Sequence, residues 1–104
     1  MTLSEHIPTL TTELVAALED EGFYDLAIQV PNLTIVRACC ESPQCASFYT
    51  SEVTNEVIGK LAKRIIVVVK GLDSVFVIDG KIVFIELRNR PDVRSALDEL
   101  VERN

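Results

Sequence analysis

The three cysteines have the widest chemical range of any side chains in this sequence, because a thiol can be a nucleophile, a redox group or a metal ligand. Cys39 and Cys40 are adjacent, and Cys45 follows five residues later. Zinc sites use about four ligands, usually in spaced cysteine pairs, and the single histidine, His6, is far away in the sequence. Adjacent strand residues point to opposite faces, so Cys39 and Cys40 are not expected to bind one ion together. A fully protein-ligated metal site is not predicted, and no cofactor is expected.

The cysteines lie in a segment that predicts a β-hairpin. Residues 33–40 and 45–50 are rich in β-branched and apolar side chains, and residues 41–44 (Glu-Ser-Pro-Gln) are typical of a turn. Cys40 and Cys45 would flank this turn and could form a disulfide across the hairpin. Because the closed loop is short, the bond would be a redox switch more than a source of stability. Alternatively, the thiols stay free and pack as small hydrophobic side chains.

Three further side chains are candidates for a ligand site or an interface. Arg88 and Arg90 alternate with Glu86 at the end of the last predicted strand and would share one sheet face. In a groove the two arginines could hold an anion or a peptide carboxylate, whereas on an open face they would form an ordinary salt-bridged surface. Phe48 and Tyr49 would point to opposite faces, so one is predicted to enter the core, and Tyr49 is the candidate for a protein interface.

Catalytic constellations are missing from the sequence. A nucleophilic thiol or hydroxyl needs a neighbouring base, and His6 stands alone near the start of a predicted helix, as a surface or half-buried residue. The four glycines are isolated and fit turns or caps, so the sequence contains no glycine-rich phosphate loop. The sequence therefore favours a non-enzymatic role and assigns no catalytic residue.

Charge and composition narrow the classes of partner. The formal net charge is −6, and residues 1–25 contain acidic side chains but no Lys or Arg, so nucleic acid is not expected as a partner. The longest strongly apolar run, residues 65–69, is far shorter than the roughly 20 residues that cross a bilayer, so no membrane association is predicted. The chain opens on no signal-peptide pattern. An odd, small number of cysteines suits a reducing compartment, and a cytoplasmic location is expected.

The rest of the sequence predicts one α+β domain over residues 1–104. Apolar residues at three- and four-residue steps from Ile7 to Leu18 predict a first helix, with Ser4 as its N-cap and Gly22 as its C-cap. Residues 23–32 predict a helical turn or an extended connector. Residues 52–64 are compatible with a short helix.

Three more strands are expected after residue 63, in an antiparallel meander over residues 64–70, 74–78 and 81–87. The apolar run of the first is typical of a strand covered on both faces, and Asp79-Gly80 predicts a type I′ hairpin turn. Pro91 opens a final helix, whose apolar stripe is Val93, Leu97, Leu100 and Val101. Hairpin and meander together give about five mainly antiparallel strands, with N- and C-terminal helices packed on the sheet.

Two stretches resemble an uncharacterised family of small bacterial proteins. VRACC at 36–40 followed by CASFYT at 45–50 is similar to that family's hairpin pattern, C-x-C-G-D-x-x-C-x-x-F-Y-T, and residues 79–94 are similar to its C-terminal part. Ala38 stands in place of the pattern's first cysteine, and residues 41–42 (Glu-Ser) in place of its Gly-Asp. The resemblance implies a shared fold and a common hairpin in a bacterial protein, and it implies no known activity.

These observations favour two functions ahead of a third, an enzyme that acts on a small acidic substrate through Arg88 and Arg90. The apolar strands could pair at a sheet edge, so the first expectation is a small non-enzymatic protein-interaction or regulatory domain that could form a homodimer. The alternative is a thiol-redox or metal-responsive module centred on Cys39, Cys40 and Cys45.

Overall fold

The computed structural model describes residues 2–40, 42–52, 54–60, 64–68 and 74–103. Within these ranges an antiparallel sheet in the order β1-β2-β5-β4-β3 packs with five α-helices, which confirms the α+β class. The helices are α1 (Leu3–His6), α2 (Pro8–Asp20), α3 (Tyr24–Gln29), α4 (Asn55–Lys60) and α5 (Pro91–Arg103). The strands are β1 (Arg37–Ala38), β2 (Phe48–Tyr49), β3 (Ile65–Val68), β4 (Ser74–Ile78) and β5 (Lys81–Glu86). No helix in the described ranges is long and apolar enough to span a membrane.

The N-terminal helical region begins earlier than predicted and is divided in two. Thr2, rather than Ser4, caps α1: its Oγ1 accepts the N–H of Glu5 at 3.3 Å, and Glu5 Oε1 accepts the N–H of Thr2 at 3.0 Å. These reciprocal bonds form a capping box. Pro8 opens α2, since proline costs no helical hydrogen bond at the first position. Gly22 follows α2 at a φ of +83°, as its predicted capping role requires.

The hydrophobic core lies between the helices and one face of the sheet. Ile7, Leu10, Leu14 and Leu18 of the first predicted stripe are buried, and so are Val93 and Leu97 of the stripe predicted for α5. Leu100 is half-buried, and the side chain of Val101 lies outside the described set. The most deeply buried core members come from both the helices and the sheet region: Leu3, Leu10, Leu14, Leu18, Val30, Ala46, Phe48, Val75, Ile85, Leu87, Val93 and Leu97.

The β4–β5 hairpin forms as the sequence predicts. Asp79 and Gly80 have φ values of +52° and +76°, the positive values that a type I′ turn needs at both central positions. The two strands then occupy the interior of the sheet, where β5 pairs with both β2 and β4.

The prediction that β3 is covered on both faces is wrong. Among the described residues β3 pairs only with β4, so it is the last strand of the sheet within these ranges. Val67 is 6% exposed, whereas Ile65, Ile66 and Val68 are 63%, 45% and 73% exposed. Residues 69–70 of the predicted strand 64–70, and residues 71–73 after it, lie outside the described residues. So do residues 53 and 61–63 of the segment 52–64, which is compatible with a short helix; within that segment Asn55–Lys60 form α4.

The first hairpin is shorter than predicted. β1 and β2 have two residues each, with Arg37 opposite Tyr49 and Ala38 opposite Phe48. Upstream, the chain near residue 34 pairs with Thr2 instead, through an isolated bridge. Residues 23–32, left open between a helical turn and an extended connector, form α3 and a short 3-10 turn.

Two alanine substitutions provide a paired test of the backbone geometry. A Cβ added at Gly80 or at Gly59 meets no atom within 4 Å, so each substitution changes backbone energetics alone. Gly80→Ala is expected to lower the free energy of unfolding by about 1–2 kcal/mol, because alanine disfavours positive φ. Gly59→Ala, inside α4, is expected to raise it by about 0.5–1 kcal/mol. Urea unfolding of both variants checks this, and effects of the same sign would contradict the assigned turn.

Candidate functional site

The three cysteines lie together on the surface of the protein. Their Sγ atoms are all within 4.8 Å of one another, with Cys39 and Cys40 exposed and Cys45 half-buried. The expectation that Cys39 and Cys40 point apart is wrong, because β1 ends at Ala38 and strand alternation does not govern the residues after it. We refer to these three residues as the cysteine cluster.

Backbone hydrogen bonds fix the cluster against the sheet. Cys39 N–H donates to the carbonyl oxygen of Ser47 at 2.9 Å, and Cys45 N–H donates to that of Ser42 at 3.0 Å, which closes the turn. Cys45 also forms an isolated antiparallel bridge with Arg88, so it pairs beyond the end of β5 and not with Cys40 across the hairpin. The buried hydroxyl of Ser47 donates to the Leu87 carbonyl at 3.1 Å and accepts the Leu87 N–H at 2.9 Å.

Arg94 ties the cluster to α5. Its Nη1 donates to the carbonyl oxygens of Cys40 at 2.6 Å and Cys45 at 3.2 Å, and its Nη2 lies 3.1 Å from Asp98 Oδ1. These charge-assisted bonds join the two ends of the loop through one side chain. Sequence reasoning missed Arg94, since its only signal was the four-residue spacing to Asp98, which indicates an ordinary helix ion pair.

The thiols of the cluster differ in acidity. Desolvation raises the pKa of Cys39, and the neighbouring Cys45 and Cys40 raise it further. Desolvation also acts upward on Cys45, but hydrogen bonds from Cys40, from the backbone of Ser47 and from Cys39 outweigh it, so the pKa of Cys45 is lowered. Cys45 therefore ionises more readily than Cys39.

Arg90 is engaged within the fold. Its guanidinium donates to both carboxylate oxygens of Glu13, at 2.9 and 2.8 Å, and to both of Asp92, at 3.1 and 2.9 Å. Hydrogen bonds to Asp92 and Glu13 raise the pKa of Arg90, and the bond to Arg90 lowers the pKa of Asp92. The side chain thus joins α2 to the start of α5, and an anion would have to displace a carboxylate to bind it.

Arg88 and Arg90 are not consecutive members of one strand face. β5 ends at Glu86, and Asn89 turns the chain at a φ of +56°. Arg88 is exposed and lines a surface groove with Ser42, Gln44, Cys45 and Asn89. Its position is therefore beside the cysteine cluster, and a ligand role for Arg88 and Arg90 stays a prediction.

Tyr49 belongs to a row of side chains across the outer face of the sheet. The Tyr49 and Phe84 ring centroids are 4.7 Å apart, those of Phe84 and Phe76 are 5.2 Å apart, and the Arg37 guanidinium carbon lies 4.9 Å from the Tyr49 centroid. Tyr49 is half-buried, and Phe48 on the other face is fully buried, as expected for one of this pair. An interface role for Tyr49 stays a prediction.

His6 is half-buried, one of the two positions predicted for it. Its Nε2–H donates to the Ala96 carbonyl oxygen at 2.6 Å and so links α1 to α5. The described residues contain a single group of three or more potential metal ligands with gathered donor atoms, the cysteine cluster, and His6 is not a member.

Comparisons with known proteins assign no family to the chain. No protein-family model, curated protein or solved structure matches it. The resemblance of the cysteine segment to a bacterial family therefore stays an expectation, and function has to be inferred from the geometry.

The difference in thiol acidity can be measured residue by residue. The thiolate is the reactive form, so the alkylation rate of each cysteine follows its ionised fraction as pH rises. In reduced, chelator-treated protein, the rate at Cys45 is expected to reach half its plateau at a lower pH than the rate at Cys39. Iodoacetamide labelling with peptide mass spectrometry across a pH series checks this. In urea the two midpoints should coincide, and coincidence in the folded protein would contradict the assigned hydrogen bonds.

Proposed function

We propose that this chain is a small non-enzymatic interaction domain that forms a homodimer through β3. The observation that carries the proposal is the exposure of three of the four β3 side chains at the last strand of the described sheet. Single exposed apolar residues are normal on a protein surface. A row of them along a strand edge is a liability unless another chain covers it.

A second copy suits this edge because antiparallel pairing of β3 with itself is self-complementary about a two-fold axis. All four residues, Ile65–Val68, are β-branched and apolar, so they favour a strand on both sides of the pairing. Within β3 there is no proline or charge of the kind that natural edge strands use to prevent such pairing.

Apolar surface continues from β3 onto the helical layer. Phe23 and Tyr24 at the start of α3 are 40% and 62% exposed, and they line a groove together with Ile65. On the outer face, Ile66 is opposite Phe76 of β4. Phe76 is the last ring of the row that begins with Arg37 and Tyr49. A second copy at β3 would therefore bury apolar surface beside both faces of the sheet, and burial of this kind drives association.

A charge placed on β3 tests the homodimer. Val68→Lys is expected to weaken association by about tenfold or more, because dimerisation would then bury an unpaired ammonium group, at a cost of at least about 1.4 kcal/mol. Val68 is exposed, so the fold should survive. Sedimentation equilibrium at micromolar concentrations measures the effect. The matched control is Ala16→Lys, at an exposed position of α2, which should leave the dimer intact.

The oligomeric state of the unmodified chain decides the proposal. A monomer at every concentration tested would overturn it, and so would a dimer that Val68→Lys leaves unchanged. Because each copy carries a net charge of −6, added salt should strengthen the dimer by screening repulsion between the copies.

The cysteine cluster favours a second candidate function, thiol–disulfide exchange. Cys40 and Cys45 would lose two electrons and two protons as their sulfurs join, and a small-molecule disulfide would accept them and leave as two thiols. Sulfurs within 4.8 Å have to approach to about 2.05 Å, which requires movement of the exposed loop.

Thiol titration after treatment with oxidised glutathione tests this second function. The reduced chain should show three reactive thiols, and the oxidised chain one. Cys39→Ser should keep the disulfide, and Cys45→Ser should abolish it. Three free thiols after prolonged oxidation, or a bond that survives Cys45→Ser, would contradict an exchange between Cys40 and Cys45.

A further inference from the structure

We propose that Cys39, Cys40 and Cys45 form a binding site for a thiophilic d10 cation of the Zn²⁺ class, with three thiolate ligands and one coordination position open to solvent. This inference does not rest on the homodimer. It concerns the reduced form of the cysteines that the exchange reaction would use.

The spacing of the sulfurs suits a metal ion. In a tetrahedral site with zinc–sulfur bonds of about 2.3 Å, ligand sulfurs are about 3.8 Å apart. Since no pair in the cluster exceeds 4.8 Å, an ion can be bound after an inward movement of at most about 1 Å by any pair. Thiolates are soft ligands that select zinc and similar ions over magnesium or calcium.

The backbone that carries the sulfurs is fixed without an ion. Cys39 N–H is bound to Ser47, and Cys45 N–H is bound within its own turn. Arg94 holds the carbonyl groups of Cys40 and Cys45 at once, and its side chain is only 16% exposed. These contacts order the backbone at each cysteine before an ion binds, and preorganisation of this kind favours affinity.

Charge near the cluster is also favourable. Three thiolates and a divalent ion together carry one net negative charge, and Arg88 lines the same groove as Cys45. A guanidinium there offsets part of that charge. In this proposal Arg88 supports the metal site, and it does not form an anion site together with Arg90.

The number of ligands determines the kind of site. Structural zinc sites have four protein ligands, whereas three protein ligands leave a position for water or an added ligand. Cys39 and Cys40 are exposed, so that fourth position faces solvent. We infer an exchangeable ion, suited to a metal-responsive protein, and not one that the fold requires.

Zinc binding by the full chain tests the site. Protein reduced with a phosphine and freed of metal is titrated with Zn²⁺ against a chromophoric chelator, with Mg²⁺ as the comparison ion. One equivalent of Zn²⁺ should bind, and Mg²⁺ should not compete. Cys40→Ser and Cys45→Ser should each lower the affinity at least about 10–100-fold, the range seen for outer-shell contacts alone. Ser95→Ala, an exposed change on α5 at a residue with none of the contacts described for the cluster, is the control and should bind Zn²⁺ like the unmodified chain.

Two further measurements distinguish coordination by the three thiolates of one chain from binding elsewhere on the surface or between two copies. Co²⁺ in place of Zn²⁺ should give thiolate-to-metal charge-transfer absorption, which each cysteine substitution reduces. Val68→Lys should keep full Zn²⁺ affinity, because the ligands come from one chain. Three results would overturn the proposal: absence of stoichiometric Zn²⁺ binding, affinity that survives replacement of all three cysteines by serine, or loss of binding in Val68→Lys. A monomeric protein that binds Zn²⁺ would overturn only the homodimer.

Discussion

Main-chain pairing along residues 81–89 is the constraint on which the rest of the structure depends. On one side, β5 pairs with β4 along its length, and on the other it pairs with β2. The same backbone continues past the strand, where the Leu87 carbonyl accepts from Ala46 N–H at 3.0 Å and Asn89 N–H donates to Gln44 at 2.9 Å. Since residues 44–50 lie along residues 81–89, the turn that carries Cys45 is positioned by contacts with a segment far along the chain.

The side-chain directions along β5 also determine which residues enter the core and which lie on the outer face of the sheet. Ile82, Ile85 and Leu87 enter the core, and a shift in register between Ile82 and Phe84 returns Phe84 to the outer face. The core members of the helices all pack on the inner face. The outer face is left with a row that runs from Arg37 through the aromatic rings to β3, and the last strand is left with apolar side chains toward solvent.

Local rules predicted the elements whose conformation depends on a few neighbouring residues. A type I′ hairpin turn needs positive φ at both central positions, and Asp79-Gly80 is a residue pair that adopts it. The ring of Pro91 fixes a φ that suits the start of a helix. The apolar run of β3 indicates only that a strand can be buried, and strand order decides whether it is. Strand order depends on pairing between distant segments, which no local pattern in residues 65–69 contains.

The cysteine cluster illustrates the same limit at a finer scale. Alternation along a strand predicts that Cys39 and Cys40 point apart, but the pairing of β1 with Tyr49 and Phe48 stops at Ala38. What gathers the sulfurs is the bridge between Cys45 and Arg88 and the bonds from Arg94. Neither leaves a signal at the cysteines themselves, so the sequence could identify the residues but not their convergence.

The order of the strands bears on whether metal binding and association could influence each other. The cluster adjoins β1 and β2 at one side of the sheet, and β3 is four strand spacings from β1, roughly 19 Å at about 4.8 Å each. That exceeds the Debye length of about 8 Å at physiological ionic strength, so a change of charge at the cysteines is screened before it reaches β3. Coupling would therefore need a second arrangement of the sheet that both sites favour. The paired interior strands β5 and β4 oppose such a rearrangement, and the two surfaces are expected to act independently.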